Sequence, residues 1–441
     1  MKRLLLFVIL FSLIFSLSGC FLDPAESLYA MPQQSRDFYD LQNAVEEILP
    51  DGGAYSPPVS GDNQQAVQLA DLDGDGENEA IVYIRGAGDA PMSLCIFHKQ
   101  GENYHLLAKL DGAGSAFDRV QYAQLDGLGG SEIVVGRRIS EQVTCSLSVY
   151  SLHDGVVSEL LSTGYAEFIT TDLNADTLTD LVILRNDADA KNGIAEFYHW
   201  TEEQLYREVE ARMSAPVHAV KRIITGNMSR GIPTVFVASE YEENTIITDV
   251  FGIYGGTFSN LALDEGADTA VQTVREYYVY SSDIDDDGLI ELPRVIPLGS
   301  IPEDSTSENQ SLISWYNLSP GGGEEVKALT YHNYSGGWYL SVPEDWADRL
   351  IVTRSSAFDS VLTHTFSLLT QEGELRQLFS LAALSGESAQ RVQNDPGWIR
   401  INTKGEISYF CCITDSSIPL QDIKDSFHFI RVDWNTGETG E

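Results

Sequence analysis

The chain has 441 residues, 27 basic against 66 acidic, and a formal charge of −39. That balance excludes nucleic-acid binding, which needs a basic footprint. Apolar residues at 43% and charged residues at 21% are ordinary globular values, and the length asks for several domains or one large repeat domain.

The chain opens with Met1-Lys2-Arg3, an apolar run from Leu4 to Leu17, and Leu17-Ser18-Gly19-Cys20. The run is short for a membrane span, which needs ~20 residues, so it reads as a processed signal. Small residues set directly before a cysteine make it resemble a bacterial lipoprotein signal, whereas an ordinary secretory signal would leave Cys20 incidental. The resemblance implies cleavage after residue 19 and lipid on Cys20. Both readings place the mature chain outside the cytoplasm, and the lipoprotein reading puts it on the extracytoplasmic face of a bacterial membrane.

Residues 20–64 then read as lipidated cysteine, tether and helix. Over Ser35–Leu49, the residues Phe38, Leu41, Val45, Ile48 and Leu49 recur at helical spacing and predict a packing face. Pro50-Asp51-Gly52-Gly53 ends that helix. Besides Cys20 there are four cysteines, Cys95, Cys145, Cys411 and Cys412, too few for a disulfide scaffold. Cys95 and Cys145 sit at similar places in successive repeats, so either a bridge or two free thiols is open. Cys411 and Cys412 lie in a strand-like run, which sends one inward and the other outward.

The repeats start at Asp71, Gln124, Asp172, Gly226 and Asp283, at spacings of 53, 48, 54 and 57. A period of this size signals stacked or radial units. In the first unit the predicted strands are Val67–Ala70, Glu79–Ile84, Ser93–His98 and Tyr104–Leu110, with turn clusters between them. Four-stranded units at this period are the blades of a β-propeller. The fold class is therefore mainly β, a propeller of about five to six four-stranded blades over residues 65–335. Beyond Ile301 the period is lost, and residues 336–441 read as a small α+β module, with a sixth blade as the other reading.

The repeats begin with variants of one loop, rich in acids and glycines in its best copies. The first runs Asp71-Leu-Asp73-Gly-Asp75-Gly-Glu77-Asn-Glu79, the third has Asp172, Asn174, Asp176 and Asp180, and the fifth has Asp283, Asp285, Asp287 and Glu291. Convergent oxygens suit a hard divalent cation. Four carboxylates held close repel one another unless a cation sits among them. An EF-hand would carry its last acid at position 12, where Val82, Ile183 and Arg294 stand; here it stands at position 9. This pattern between two strands resembles FG-GAP or VCBS repeats, as in the calcium-binding blades of integrin α-subunits. The resemblance implies Ca2+ in a structural role, at two to three sites and with no catalysis. The carbonyls of Glu77 and Leu289 are expected as position-7 ligands. Asn174 lowers the charge of the third loop and weakens it. The second loop, with Gln124 and Leu128 beside Asp126 and Glu132, has too few acids. The fourth, with Gly226, Met228 and Arg230, should be metal-free.

No H-E-x-x-H pair, G-x-S-x-G elbow or P-loop is present, so no catalytic residue is assigned. The expectation is a membrane-anchored binding or scaffold module for a protein or glycan, with lipid at Cys20 as its membrane contact. A polysaccharide-active enzyme on the same scaffold, or an accessory or sensory subunit of an envelope complex, is the alternative. Tyr277, Tyr278, Tyr280, Trp315 and Tyr316 are the aromatics available for a carbohydrate face or for packing between blades.

Overall fold

The computed structural model describes residues 36–49, 52–101, 103–139, 145–187, 191–263, 266–276, 279–298, 311–357 and 361–431. The signal segment, Cys20, Ser35, Tyr277 and Tyr278 lie outside them. The chain divides into two compact units. Of the described residues, the first contains those up to Pro57 together with 65–70 and 77–113; the second contains 58–64, 71–76 and those from Gly114 onward.

In the first unit, helix α1 (Arg36–Ile48) accompanies one antiparallel sheet. Its strands are β1 (Ala54–Tyr55), β2 (Val67–Ala70), β3 (Glu79–Arg85), β4 (Met92–Gln100) and β5 (Asn103–Gly112). The expected helical stripe is used: Leu41 and Val45 are buried against Ala80, Val82, Ile84, Cys95 and Phe97, with Ile48 and Leu49 packed at the edge. The apolar run of β3 is buried on both faces, whereas β5 alternates half-buried and exposed residues. Sequence and burial agree because a strand covered on both sides needs an unbroken apolar run.

The second unit holds five sheets. Sheet 2 is β6 (Ala116–Ala123), β7 (Glu132–Arg138), β8 (Cys145–His153) and β9 (Val156–Tyr165), in chain order. Sheet 3 is β10 (Glu167–Thr171), β11 (Asp180–Asn186), β12 (Gly193–Thr201) and β13 (Gln204–Arg207), with β14 (Ala211–Arg212) also pairing with β12. Sheet 4 is β15 (Val220–Met228), β16 (Ile232–Glu240), β17 (Ile246–Tyr254) and β18 (Thr257–Asn260). Sheet 5 opens with β19 (Leu292–Pro297), β20 (Ser311–Ser319), β21 (Gly323–Asn333) and β22 (Trp338–Val342). Sheet 6 orders β23 (Leu350–Ala357), β24 (Val361–Leu369) and β25 (Leu375–Leu384), then β27 (Ile407–Ile413) and β26 (Ile399–Lys404). Helix α2 (Gly386–Gln393) joins β25 to β26, and α3 (Leu420–Ser426) leads into β28 (Phe427–Phe429). Strand β28 returns to sheet 5 and pairs with β22 as Trp338↔Phe429 and Leu340↔Phe427.

The fold is thus mainly β. Among the described residues six antiparallel sheets follow one another, and most of their consecutive strands pair as open up-and-down meanders. Within the second unit every consecutive pair of sheets shares an apolar cluster. Val134 and Val149 of sheet 2 meet Phe168, Leu181 and Ile183 of sheet 3. Val182 and Phe197 meet Val235, Val237 and Phe251 of sheet 4. Phe236 and Val250 meet Leu292 and Tyr316 of sheet 5, and Tyr331 and Trp338 meet Leu350, Phe366 and Phe379 of sheet 6. Each fully buried side chain of this kind contributes about 1.5–3 kcal/mol. Tyr280, Trp315 and Tyr316 are all core residues, so packing uses them. Cys95, Cys145, Cys411 and Cys412 are free thiols, with Cys411 buried and Cys412 half-buried as the alternation requires. No helix among the described residues is long and apolar enough to cross a membrane.

Candidate metal loops

Two hydrogen-bonding patterns recur among the repeat loops, each seen in three of them and each made by the loop's own acids. The acid at position 9 opens the second strand and turns back to accept amide hydrogens at positions 2 and 3. Glu132 Oε2 accepts from Leu125 N at 2.6 Å and from Asp126 N at 3.2 Å. Asp180 Oδ2 accepts from Leu173 N at 2.8 Å and from Asn174 N at 3.1 Å. Glu291 Oε2 accepts from Ile284 N at 3.0 Å. The position-1 acid accepts from position 6: Asp71 from Gly76 N, Asp172 from Thr177 N and Asp283 from Gly288 N, at 2.9–3.0 Å. Position 9 is therefore a structural acid as well as a candidate ligand, and this explains its presence in the second loop.

The turns also repeat. Gly74 and Gly76, Gly127 and Gly129, Ala175 and Thr177, and Asp286 and Gly288 all have positive φ. Only glycine adopts this region without cost. The third loop carries the strain twice, at Ala175 (φ 61°) and Thr177 (φ 78°). Thr177→Gly should therefore raise stability by about 0.5–1 kcal/mol, the relief of strain exceeding the added chain entropy. Chemical denaturation measures it; a loss of stability would refute the strain.

The fifth loop brings together oxygens of Asp283, Asp285 and Glu291, all within 4.8 Å of one another. Over nine consecutive residues the first loop does the same with Asp71, Asp73 and Glu79. Asp75 and Asp287, expected as ligands, are not part of these groups. Asp287 Oδ1 instead accepts the amide hydrogen of Leu289 at 2.8 Å. A decisive observation concerns Glu291. The residue is fully buried, its Oε2 is bonded to Ile284 N, and its Oε1 has no hydrogen-bond partner. Burial, then the charges of Asp285, Asp287 and Asp283, push its carboxyl up to about 7. A buried, unpaired carboxylate oxygen in a group that clusters with two more carboxylates is costly unless a cation or proton meets it. Oxygen-only donors of this charge fit a hard divalent ion such as Ca2+. Asp283, Asp285 and Glu291 would hold it, and the ion would supply charge neutralisation and a fixed loop.

The third loop is different. Asn174 Oδ1 accepts from Asp176 N at 2.9 Å, which orients the amide. Asn174 Nδ2 then donates to Asp176 Oδ2 at 2.9 Å and to Asp180 Oδ1 at 3.4 Å. A neutral amide stands where the fifth loop presents a carboxylate, and it bridges the remaining acids. Burial, opposed by the backbone amides of Leu173 and Asn174, pushes Asp180 up to about 6. The second loop ties Asp126 to Ser151 Oγ at 2.9 Å, and burial pushes Glu132 up to about 7. In sheet 4 the loop is replaced by a tight turn. Pairing runs through Gly226↔Thr234 to Met228↔Ile232, and Ser229–Gly231 closes the hairpin. Thr234, at position 9, donates its hydroxyl to Gly226 O at 3.1 Å.

Sequence reading missed how the loops are joined. The amide at position 8 of one loop donates to the start of the preceding loop. Ser131 N bonds Asp71 O at 3.0 Å, Thr179 N bonds Gln124 O at 2.8 Å, and Ile290 N bonds Asn227 O at 2.8 Å. Glycines make room for this contact. A Cβ on Gly130 would lie 2.0 Å from Leu72 O, and one on Gly74 would lie 2.6 Å from Gly129 O. The Gly129-Gly130 pair was the available signal. Also unforeseen is the link from the chain's end to the fifth loop: Arg431 donates to Asp286 Oδ1 at 2.9 Å.

No protein-family model matches the chain, and no curated protein matches it. Solved structures similar to it include three rhamnogalacturonan lyases. The exotype lyase YesX is 13% identical over 77% of this chain and 70% of its own, with a TM-score of 0.29. The lyase YesW is 10% identical over 73% of this chain and 57% of its own, with a TM-score of 0.32. The Bacillus licheniformis lyase PL11 is 12% identical over 74% and 72%, with a TM-score of 0.28. At these TM-scores the likeness carries no argument about topology or activity.

Proposed function

We propose that the chain is an extracytoplasmic binding or scaffold module of FG-GAP/VCBS type, anchored through lipid on Cys20 and stiffened by calcium. The observation that carries the calcium reading is the buried, unpartnered Oε1 of Glu291, a residue whose carboxylate clusters with those of Asp283 and Asp285. The first loop, with Asp71, Asp73 and Glu79, is the second site. On binding, Asp75 and Asp287 would turn in from outside these groups and, with the carbonyls of Glu77 and Leu289, complete the two ligand sets; the third loop is a weak third site. The anchor rests on the apolar run to Leu17 and on Gly19-Cys20. The partner is a protein or glycan met outside the cell, where calcium is plentiful, and the ions hold the sheets whose surfaces meet it.

Calcium titration of the soluble chain from residue 21 onward tests this. Extracellular sites bind at ~10⁻⁴–10⁻³ M. At 10 mM calcium each site then adds about 1.4–2.7 kcal/mol, lost on chelation. Glu291→Gln should remove the fifth loop's share and leave the first loop's intact. A melting temperature indifferent to calcium in the parent chain would end the structural-ion reading. For the anchor, Cys20→Ala should move the protein from the membrane fraction to the soluble one, and retention in the membrane would count against lipidation.

A further inference from the structure

We infer that a cavity between sheets 5 and 6 binds a small amine carrying a single apolar ring. The cavity measures about 120 Å³ and lies between β22 and the inner strands of sheet 6, beneath α3. Val342, Phe366, Phe379 and Ile423 form its buried floor, and Trp346 is a half-buried wall. Asp422, exposed on α3, is the one charged residue that lines it. Among the described residues the Asp422 carboxylate has no ion-pair partner.

Three features choose the ligand. The first is size: an apolar cavity of roughly 150 Å³ takes up benzene, so this one holds about one ring. The second is wall chemistry, since aromatic and aliphatic side chains line the floor and select an apolar body. The third is charge. The exposed carboxylate of Asp422 favours a cation, and the chain's charge of −39 enriches cations around it. An amine one or two bonds from the ring keeps its charge at the rim, in water, while the ring replaces the cavity's solvent. The site is separate from the acid loops, so it stands whether or not they bind calcium.

The test compares phenethylamine, 2-phenylethanol and phenylacetate by NMR titration of the chain from residue 21 onward, in calcium-containing buffer. Phenethylamine should bind saturably and phenylacetate most weakly. Asp422→Asn should weaken phenethylamine about five-fold, the scale of one exposed ion pair, and leave 2-phenylethanol unchanged. Ile423→Trp fills the cavity and should abolish binding of both. If that variant does not fold, intermolecular NOEs from the ligand ring to Phe366 and Phe379 decide in its place. Equal affinity for phenylacetate, indifference to Asp422→Asn, absent NOEs, or no saturable binding would each overturn the inference.

Discussion

A Gly130→Ala chain will melt well below the parent, with a loss of about 3 kcal/mol. The methyl would sit 2.0 Å from Leu72 O and 2.4 Å from Leu72 C, backbone atoms with no rotamer to retreat into. Ser131 N, the next amide, is bonded to Asp71 O, so relief by separation would break that bond. Gly129→Ala is the control. A Cβ there meets nothing within 4 Å, and its cost is the left-handed backbone alone (φ 108°). That strain is about 1–2 kcal/mol. Denaturant unfolding of both variants separates contact from strain. If Gly130→Ala costs no more than Gly129→Ala, the close approach of the loops is wrong.

The second large effect is acid lability centred on His364. Its ring is buried between Asn333 Nδ2, 2.9 Å from Nε2, and Tyr331 Oη, 3.2 Å from Nδ1. Asn333 Oδ1 already accepts from Ser335 Oγ and Gly336 N, so Nδ2 must donate and Nε2 must accept. A proton on Nε2 would face a donor. Burial, followed by the charge of Arg354, lowers the imidazole to about 4 from its ordinary 6.5. Between those values the unfolded chain binds a proton that the folded chain does not. His364 therefore contributes fully above pH 6.5, and its contribution falls as the pH drops toward 4. The change is on the order of 3 kcal/mol. Glu132 and Asp180 titrate with the opposite sign, because their folded carboxyls sit above the ordinary range. The His364 share is thus read as a difference: the parent should lose more stability than His364→Gln between pH 7 and pH 4, in saturating calcium. Parallel pH profiles would remove His364 as the cause.

Much of this was legible in the sequence. The unbroken apolar runs, such as Ala80–Ile84, mark strands buried on both faces, and the stripe from Leu41 to Leu49 marks the packed helix. These signals are local, set by periods of two and 3.6 residues. The acid loops were legible for the same reason, since the acids that bond one another's amides within a loop lie within nine residues. What escaped was non-local. Strand β28 pairs with β22 across some ninety residues, and no period announces that contact. The pairing extends sheet 5 beyond residue 336, while sheet 6 gathers most of the last hundred residues. The ligand sets were legible by type and not by reach. Asp75 and Asp287 look equivalent to their neighbours in the sequence, yet the oxygens of Asp283, Asp285 and Glu291 converge without Asp287.

The bonds that join successive loops give three amide protons an unusual vantage. Those of Ser131, Thr179 and Ile290 belong to one repeat and point at a carbonyl of the one before. Ile290 sits in the acid-rich fifth loop and holds Asn227, in the repeat whose own loop has shrunk to a hairpin turn. A repeat stripped of acids can therefore keep its place by leaning on its successor. These bonds use backbone atoms alone, so replacing the ligand side chains of a loop leaves its partners for them in place. In a deuterium-exchange experiment these amides would report on the neighbour's fraying sooner than on their own.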